Sequence, residues 1–336
     1  MPRQFLRSPF ARLGPIARRD QLIRKLRRKN HRLSRALREE LPPTKIPRAP
    51  TPSYRTMVHL ERRLIQLGMA DTSVISRGKF KVQDLVESHG IDVPERFGRW
   101  TRAEDIAWDE LPDLVVVKSR RGSSSRGVLP LRRADGGWQI ISHDGEVLTD
   151  EQVSARLAAQ VGKGLIAGPF SAEEFIDEDG TGASPPMDVK VYTFYGEAPM
   201  VLIRRVIKHG DPGATFRIID RHGRDVGDIY SGKPIDPTME PPARLEETVE
   251  TAERLSVAIR APFSRLDFYN VDDRIVFGEV TPRPGGPQWF GPDLDMVLGD
   301  AWERALVRYA KDISGGMPPA PQWGSSHVRS REESRP

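Results

Sequence analysis

Between Arg265 and Thr281 the chain reads as two strands folded about a polar turn, and this segment narrows the folds open to it. The run is Arg265-Leu-Asp267-Phe-Tyr-Asn-Val-Asp-Asp-Arg-Ile-Val-Phe-Gly-Glu279-Val-Thr281. Successive side chains of a strand point to opposite faces, so the turn length decides which residues share a face. A three-residue turn at 272–274 sets Asp267 directly opposite Glu279, with Leu266, Phe268, Val276 and Val280 together on the other, apolar face. A two-residue turn puts the two acids on opposite faces. In the first register like charges oppose each other, which destabilises a sheet unless something compensates. A bound Mg²⁺ would compensate, because it prefers hard oxygen ligands. Two solvated acids on an exposed face are the equal alternative.

A second strand pair, 189–195 and 198–207, brackets Gly196–Glu197. Helical periodicity marks 54–68, 79–89, 243–260 and 293–312. Thr149 and Gln152 form a capping box that opens a further helix running to about residue 161. Short apolar runs at 114–117, 128–131 and 138–142, and the stretch 165–176, read as extended. Hairpins interleaved with helices imply an α+β fold rather than a doubly wound parallel sheet.

Charge divides the chain. Residues 1–40 hold 13 Lys/Arg against 3 Asp/Glu, and the remaining 296 residues hold 39 against 44. The body is mildly acidic, which disfavours nucleic acid as a partner. The arm carries Leu22, Leu26, Leu33 and Leu37 at near-helical spacing among arginines, so it reads as a basic amphipathic helix. Such a helix suits an anionic membrane surface; a solvated arm, or docking by its leucines, is the even alternative. Pro42, Pro43, Pro47, Pro50 and Pro52 then form a semi-rigid linker. The expected organisation is an arm and linker over 1–53, a catalytic domain over 54–313 and a disordered tail over 314–336. The absence of cysteine excludes disulfide frameworks, thiolate metal sites and cysteine nucleophiles. No apolar run approaches the roughly 20 residues that span a bilayer. The arginine-rich start lacks the apolar core of a secretory signal.

Several motifs fail on inspection. Residues 122–127 have the glycine spacing of a P-loop, but Val128–Leu129 stands where Lys-Ser/Thr is required. Asp177, Asp179, Gly182 and Asp188 sit at calcium-loop offsets, but Pro185–Pro186 blocks the exiting helix. There is no HExxH pair and no G-x-S-x-G elbow.

Three segments carry chemistry. Lys118 ends an apolar strand and leads into Ser119-Arg-Arg-Gly-Ser-Ser-Ser-Arg-Gly127. A lysine beside a Gly/Ser loop suits a polyphosphate, with hydroxyls and backbone N–H groups approaching the oxygens, although an exposed lysine beside an ordinary flexible turn is the simpler reading of this segment alone. The second is the Asp267/Glu279 hairpin. The third is Glu173-Glu174-Phe175-Ile176, followed by Asp188-Val-Lys190-Val-Tyr and Arg204–Arg205, whose simpler reading is cross-strand ion pairing.

The ordered set is strand-Lys-Gly/Ser loop, E-E-F-I, D-V-K-V-Y, R-L-D-F-Y and G-E-V-T-P-R-P-G. It resembles the ATP-grasp ligases across residues 70–312. More narrowly it resembles the teichuronopeptide-biosynthesis-type (TupA-like) ATP-grasp family, through 188–196, 265–281 and 290–299. The resemblance implies an ATP-grasp fold of two α+β subdomains gripping a nucleotide. It implies that Lys79 and Lys118 bind ATP, with Ser123, Ser124, Ser125 and Gly127 in the loop over the phosphates. Glu173, Glu174, Phe175 and Ile176 would form the hinge at adenine and ribose. Lys190 would contact phosphate, and Arg205 would steady the transferred phosphoryl group. Asp267 and Glu279 would bind magnesium. Thr281 replaces the asparagine of many members as third ligand, and Arg283 would meet an acidic acceptor or face solvent.

The implied activity is ATP-dependent ligation of a carboxylate to an amine through an acyl phosphate, with an amino acid joined to a cell-surface or secondary-metabolite carboxylate. The cofactors implied are ATP and Mg²⁺, with Mn²⁺ as the alternative metal. A phosphotransferase acting on a hydroxyl, and a non-catalytic nucleotide- or membrane-binding protein, are the rival readings. The expected location is the cytoplasm, with the arm free to touch the inner membrane face.

Overall fold

The structure is a computed structural model. It describes residues 52–326 apart from 69–78, 123–125, 142–145, 179, 183–184, 207–213, 229–234 and 283–289, together with Gln21, Arg24, Lys25, Leu26, Arg28 and Lys29. The chain divides into two units, 1–50 and 51–336. The described residues of the first unit are helical and exposed. The rest of the expected arm and linker up to residue 51 lies outside the described residues.

The second unit holds two antiparallel sheets. The six-stranded sheet has the order β1 (Arg96–Trp100), β6 (Ala167–Glu174), β2 (Leu114–Arg121), β3 (Val128–Ala134), β4 (Gly137–Ile140) and β5 (Val147–Leu148). The five-stranded sheet has the order β11 (Arg274–Thr281), β10 (Ser264–Val271), β7 (Asp188–Thr193), β8 (Met200–Arg205) and β9 (Thr215–Ile219). Among the described residues five α-helices complete the unit, with two short 3-10 turns at Ala103–Asp105 and Trp108–Glu110: α1 (Tyr54–Gln66), α2 (Lys79–Ser88), α3 (Asp150–Gly162), α4 (Leu245–Ile259) and α5 (Pro292–Ser314). The α+β expectation matches this architecture. Strands β1 and β9 had no sequence counterpart: β1 carries Arg96, Gly98 and Arg99 in five residues, so no apolar alternation marks it.

Local chemistry explains the helix starts. Ser53 accepts the Thr56 N–H at the head of α1. Thr149 and Gln152 form both halves of the expected capping box on α3. Pro292 opens α5, where its missing N–H costs nothing.

Burial then fixes the layers. One face of the six-stranded sheet packs Val115, Val117, Leu131, Trp138 and Ile140 with Val153 and Leu157 of α3. One face of the five-stranded sheet packs Val189, Val191, Val201, Ile203, Leu266, Phe268 and Phe277 with α2 and α4. Its opposite face is covered at one end only. There Tyr54 of α1 and Leu294, Leu298 and Trp302 of α5 pack on Tyr192, Met200, Leu202 and Ile218. The other end of that face carries the charged residues described below. Each fully buried Leu, Val or Phe stabilises the fold by about 1.5–3 kcal/mol.

The tail departs from expectation. Residues 315–326 are placed, whereas the sequence reading expected disorder from residue 314. Gln322 N–H donates to Ala258 O at 2.8 Å and Ser326 N–H to Ser88 O at 2.9 Å. These carbonyls end α4 and α2, where the last turn of a helix lacks internal partners. Main-chain N–H groups make these bonds whatever the side chains are, so composition does not register them. Residues 327–336 lie outside the described residues. Among the described residues no helix is long and apolar enough to cross a membrane.

Candidate active site

The hairpin β10–β11 reaches the expected pairing by an unexpected route. Val271 pairs with Arg274, so the turn has two residues, and Asp272 adopts φ 51°. Taken alone, that register would separate the acids. A bulge at Gly278 restores it: Phe268 pairs with Phe277, and Asp267 pairs with Glu279. The extra residue of a bulge flips the parity of everything beyond it. One expectation is corrected in consequence. Val276 leaves the apolar face of Leu266, Phe268 and Val280 and packs instead with Ile176, Val271 and Tyr269.

Gly278 is required where it stands. A Cβ there would lie 2.9 Å from Tyr269 Cε2 and 3.3 Å from Asp267 O.

Asp267 shares its face with a row of charges. It is 4% exposed. Lys190 on the neighbouring β7 donates Nζ to Asp267 Oδ2 at 2.7 Å. Arg265 donates Nε to Asp267 Oδ1 at 2.7 Å and Nη2 to Oδ2 at 2.8 Å. Arg265 Nη2 also donates to Thr281 Oγ1 at 2.9 Å. Lys190 lies 3.2 Å from Asp188 Oδ1, and Arg204 Nη1 donates to Asp188 Oδ2 at 3.1 Å. The ladder Arg204–Asp188–Lys190–Asp267–Arg265–Thr281 thus crosses four strands. Burial alone would push the Asp267 carboxyl up, but Lys190 and Arg265 outweigh it and hold it below the ordinary carboxylate value. Burial would lower the Arg265 guanidinium, and Asp267 raises it instead. Glu279 is exposed beside this pair.

Arg205 is not part of the ladder. Asp188 pairs with Arg204, so Arg204 shares the face of Lys190 while Arg205 points to the opposite one. There Arg205 Nη2 donates to Glu178 Oε1 at 3.1 Å. Of the Arg204–Arg205 doublet it is Arg204 that joins the ladder; a count from Gly196 takes no account of strand parity. The motifs of the sequence give neither Arg265 nor Arg204 a role, and the structure brings both into the ladder. Arg265 lies two residues before Asp267, a spacing that places both on one strand face.

The six-stranded sheet contributes a simpler group. Lys118 donates Nζ to Glu173 Oε2 at 2.6 Å, and Glu173 is 2% exposed. The Glu173 carboxylate also meets Ser171 Oγ at 3.4 Å and Gln83 Nε2 at 3.5 Å. Glu174 turns to the other face, where Arg274 Nη1 and the Glu95 N–H both donate to it. It therefore braces the two sheets and does not join Glu173 at the site. Phe175 and Ile176 are buried. Gly127 sits in a left-handed turn, φ 71°, and its carbonyl accepts the Ser119 N–H at 2.7 Å. Lys79 begins α2, but its side chain, like Ser123, Ser124, Ser125 and Arg283, lies outside the described residues.

Two buried acceptors border Glu173–Ile176 without hydrogen-bond partners: Gln83 Oε1 and Asp177 Oδ1. A buried unpaired acceptor costs about 1–3 kcal/mol, and the amino and hydroxyl groups of a nucleoside are donors that would relieve it. The sequence offered no signal for Gln83. The donors offered for a metal are two carboxylates and a hydroxyl. No group of three or more His, Asp or Glu is gathered for a metal among the described residues. Mg²⁺ is commonly held by one or two carboxylates together with substrate phosphates. Exposed Glu279 is the open ligand here, and Asp267, whose oxygens already accept from Lys190 and Arg265, would join it through its remaining lone pairs.

No curated protein matches the sequence significantly. Among solved structures, D-alanine–D-alanine ligase from Bacillus anthracis aligns with a TM-score of 0.46 and 16% identity, over 77% of each chain. The ATP-grasp ligase PsnB, complexed with minimal precursor, Mg and ADP, aligns with a TM-score of 0.39 and 15% identity, over 75% of this chain and 66% of that one. These likenesses are too distant to argue activity. The sequence model described as TupA-like ATP-grasp matches residues 59–303. That span holds both sheets, the Lys118–Glu173 pair and the whole charged ladder, and the chain accordingly belongs to the TupA-like ATP-grasp family.

Proposed function

We propose that the protein joins a carboxylate to an amine at the expense of ATP, through an acyl phosphate, and that it attaches an amino acid to a carboxylate of a cell-surface polymer or secondary metabolite. The observation that carries this reading is the placement of buried Asp267 directly opposite exposed Glu279, flanked by Lys190 and Arg265.

The chemistry asks for charge stabilisation and positioning more than for a protein nucleophile. The acceptor carboxylate attacks the γ-phosphorus and ADP departs. The amine then attacks the acyl carbon, and phosphate leaves with the bonding pair. Lys118, held by Glu173, is positioned to meet phosphate oxygens as a point charge. Lys190 and Arg265 balance Asp267 and present cations where a dianion would otherwise be repelled by three carboxylates. Arg265 is fixed by Asp267 and Thr281, so it meets developing charge without rotamer search. A metal ion bound by Asp267, Glu279 and Thr281 would supply neutralisation of the triphosphate, and Mn²⁺ would suit the same oxygen donors. The basic arm is assigned to contact with an anionic membrane surface, which liposome binding by the full chain tests against a chain beginning at Pro52.

The test is product analysis. ATP, Mg²⁺, amino-acid pools and uronic acids should yield ADP and free phosphate together with an amide. ADP with a phosphorylated acceptor and no free phosphate would assign the protein to the phosphotransferases instead.

A further inference from the structure

Tyr269 stands at the centre of this site with no role given to it so far. It lies two residues after Asp267 on β10, so both side chains leave the same face. Its ring covers the backbone at Gly278, filling the place a side chain there would take. It packs against Ile176, Val271 and Val276, the small apolar cluster between the two sheets. Its hydroxyl makes no hydrogen bond among the described residues. Four carboxylates lie within electrostatic reach of it: Glu173 from the six-stranded sheet, and Asp188, Asp267 and Glu279 from the five-stranded sheet.

Position and chemistry together define what this hydroxyl can do. One side of Tyr269 is the Glu173–Ile176 segment with its unpartnered acceptors; the other is the Asp267/Glu279 pair. A nucleotide with its base at the first place and its metal-bound phosphates at the second would have to pass the phenol. A phenol is protonated at neutral pH, so the hydroxyl is a neutral donor among these four acceptor carboxylates. Phosphate oxygens accept only. A phenol can bind them where an added cation would be drawn onto the carboxylates.

We infer that Tyr269 is a nucleotide-binding residue whose hydroxyl donates to a proximal phosphate oxygen while its ring, seated on Gly278, forms the floor between the base and the metal pair. This rests on the proposed nucleotide site, and the test separates the two. Binding of Mg²⁺ with a non-hydrolysable ATP analogue is measured by calorimetry for the native chain and for Tyr269→Phe and Tyr269→Leu. Binding should weaken about tenfold with Tyr269→Phe, the loss of one charge-assisted hydrogen bond. It should weaken further with Tyr269→Leu, which also removes the floor. The ligand-free melting temperature of Tyr269→Phe should match the native chain. Unchanged affinity in Tyr269→Phe overturns the inference. So does a weaker affinity that comes with a matching fall in ligand-free melting temperature, because the hydroxyl then serves the fold. Failure of the native chain to bind the analogue overturns the nucleotide site itself.

Discussion

The two sheets solve the problem of presenting charge in different ways. The six-stranded sheet buries one carboxylate, Glu173, and gives it one lysine, Lys118, at 2.6 Å. The five-stranded sheet lays three cations and two anions in alternation across its strands, from Arg204 to Arg265, with Glu279 exposed at the side. A single pair leaves its lysine free to exchange partners when a phosphate arrives. A ladder does not, since moving one member strips its neighbours. The six-stranded sheet is therefore suited to follow a ligand, and the five-stranded sheet to hold a fixed electrostatic frame.

The largest effect should come from breaking the ladder. Asp267→Asn leaves Lys190 and Arg265 facing each other without their anion, and removing one partner from buried ion pairs costs about 3–5 kcal/mol. Chemical denaturation should show that loss in the variant even without nucleotide. A stability within about 0.5 kcal/mol of native, the usual range for an exposed site, would mean that the ladder is not a unit. The same carboxyl gives a pH signature. Its native value is depressed, so its contribution is fully present above the unfolded value of about 3.9 and fades as pH falls towards the native one. Denaturation midpoints should fall across that acid window in the native chain, and this component should vanish in Asp267→Asn.

On the other sheet the balance shifts from fold to ligand. Lys118→Ala should weaken Mg·ATP binding by about 1.5–3 kcal/mol, the worth of a hydrogen bond to a charged group. Calorimetry on the folded variant checks it, and unchanged affinity would remove Lys118 from the site. The smallest effect is expected at Arg205. Its exposed pair with Glu178 is worth about 0–1 kcal/mol. Arg205→Ala should keep native turnover, whereas Arg204→Ala, which opens the end of the ladder, should lower it. The reverse order would reinstate the arginine that the family spacing suggested.

Much of this was legible before any coordinates. The alternation of 265–281 marked a hairpin, and the twelve-residue separation of Asp267 and Glu279 suggested that they face each other. The reason given was incomplete. The turn is one residue shorter than that register needs, and the bulge at Gly278 makes up the difference. A glycine inside a strand pattern is the available signal for a bulge. Arg265 was readable from parity alone, as was the choice of Arg204 over Arg205 once Asp188 and Arg204 were paired across the hairpin. Glu173 and Glu174 are adjacent in sequence, and alternation sends them to different tasks. The docked segment 317–326 could not be read, since its partners are carbonyls at the ends of distant helices.

The central claim is that Asp267 and Glu279 together hold the metal that accompanies ATP. Glu279 gives the cleaner test, because it is exposed and Glu279→Gln should leave the frame standing. Binding of a non-hydrolysable ATP analogue is measured with Mg²⁺ and with chelator, for the native chain and for this variant. Mg²⁺ is expected to tighten binding to the native chain by about tenfold or more, roughly 1.4 kcal/mol, and to add little in Glu279→Gln at an unchanged ligand-free melting temperature. An equal Mg²⁺ enhancement in both proteins would contradict the claim and place the metal elsewhere.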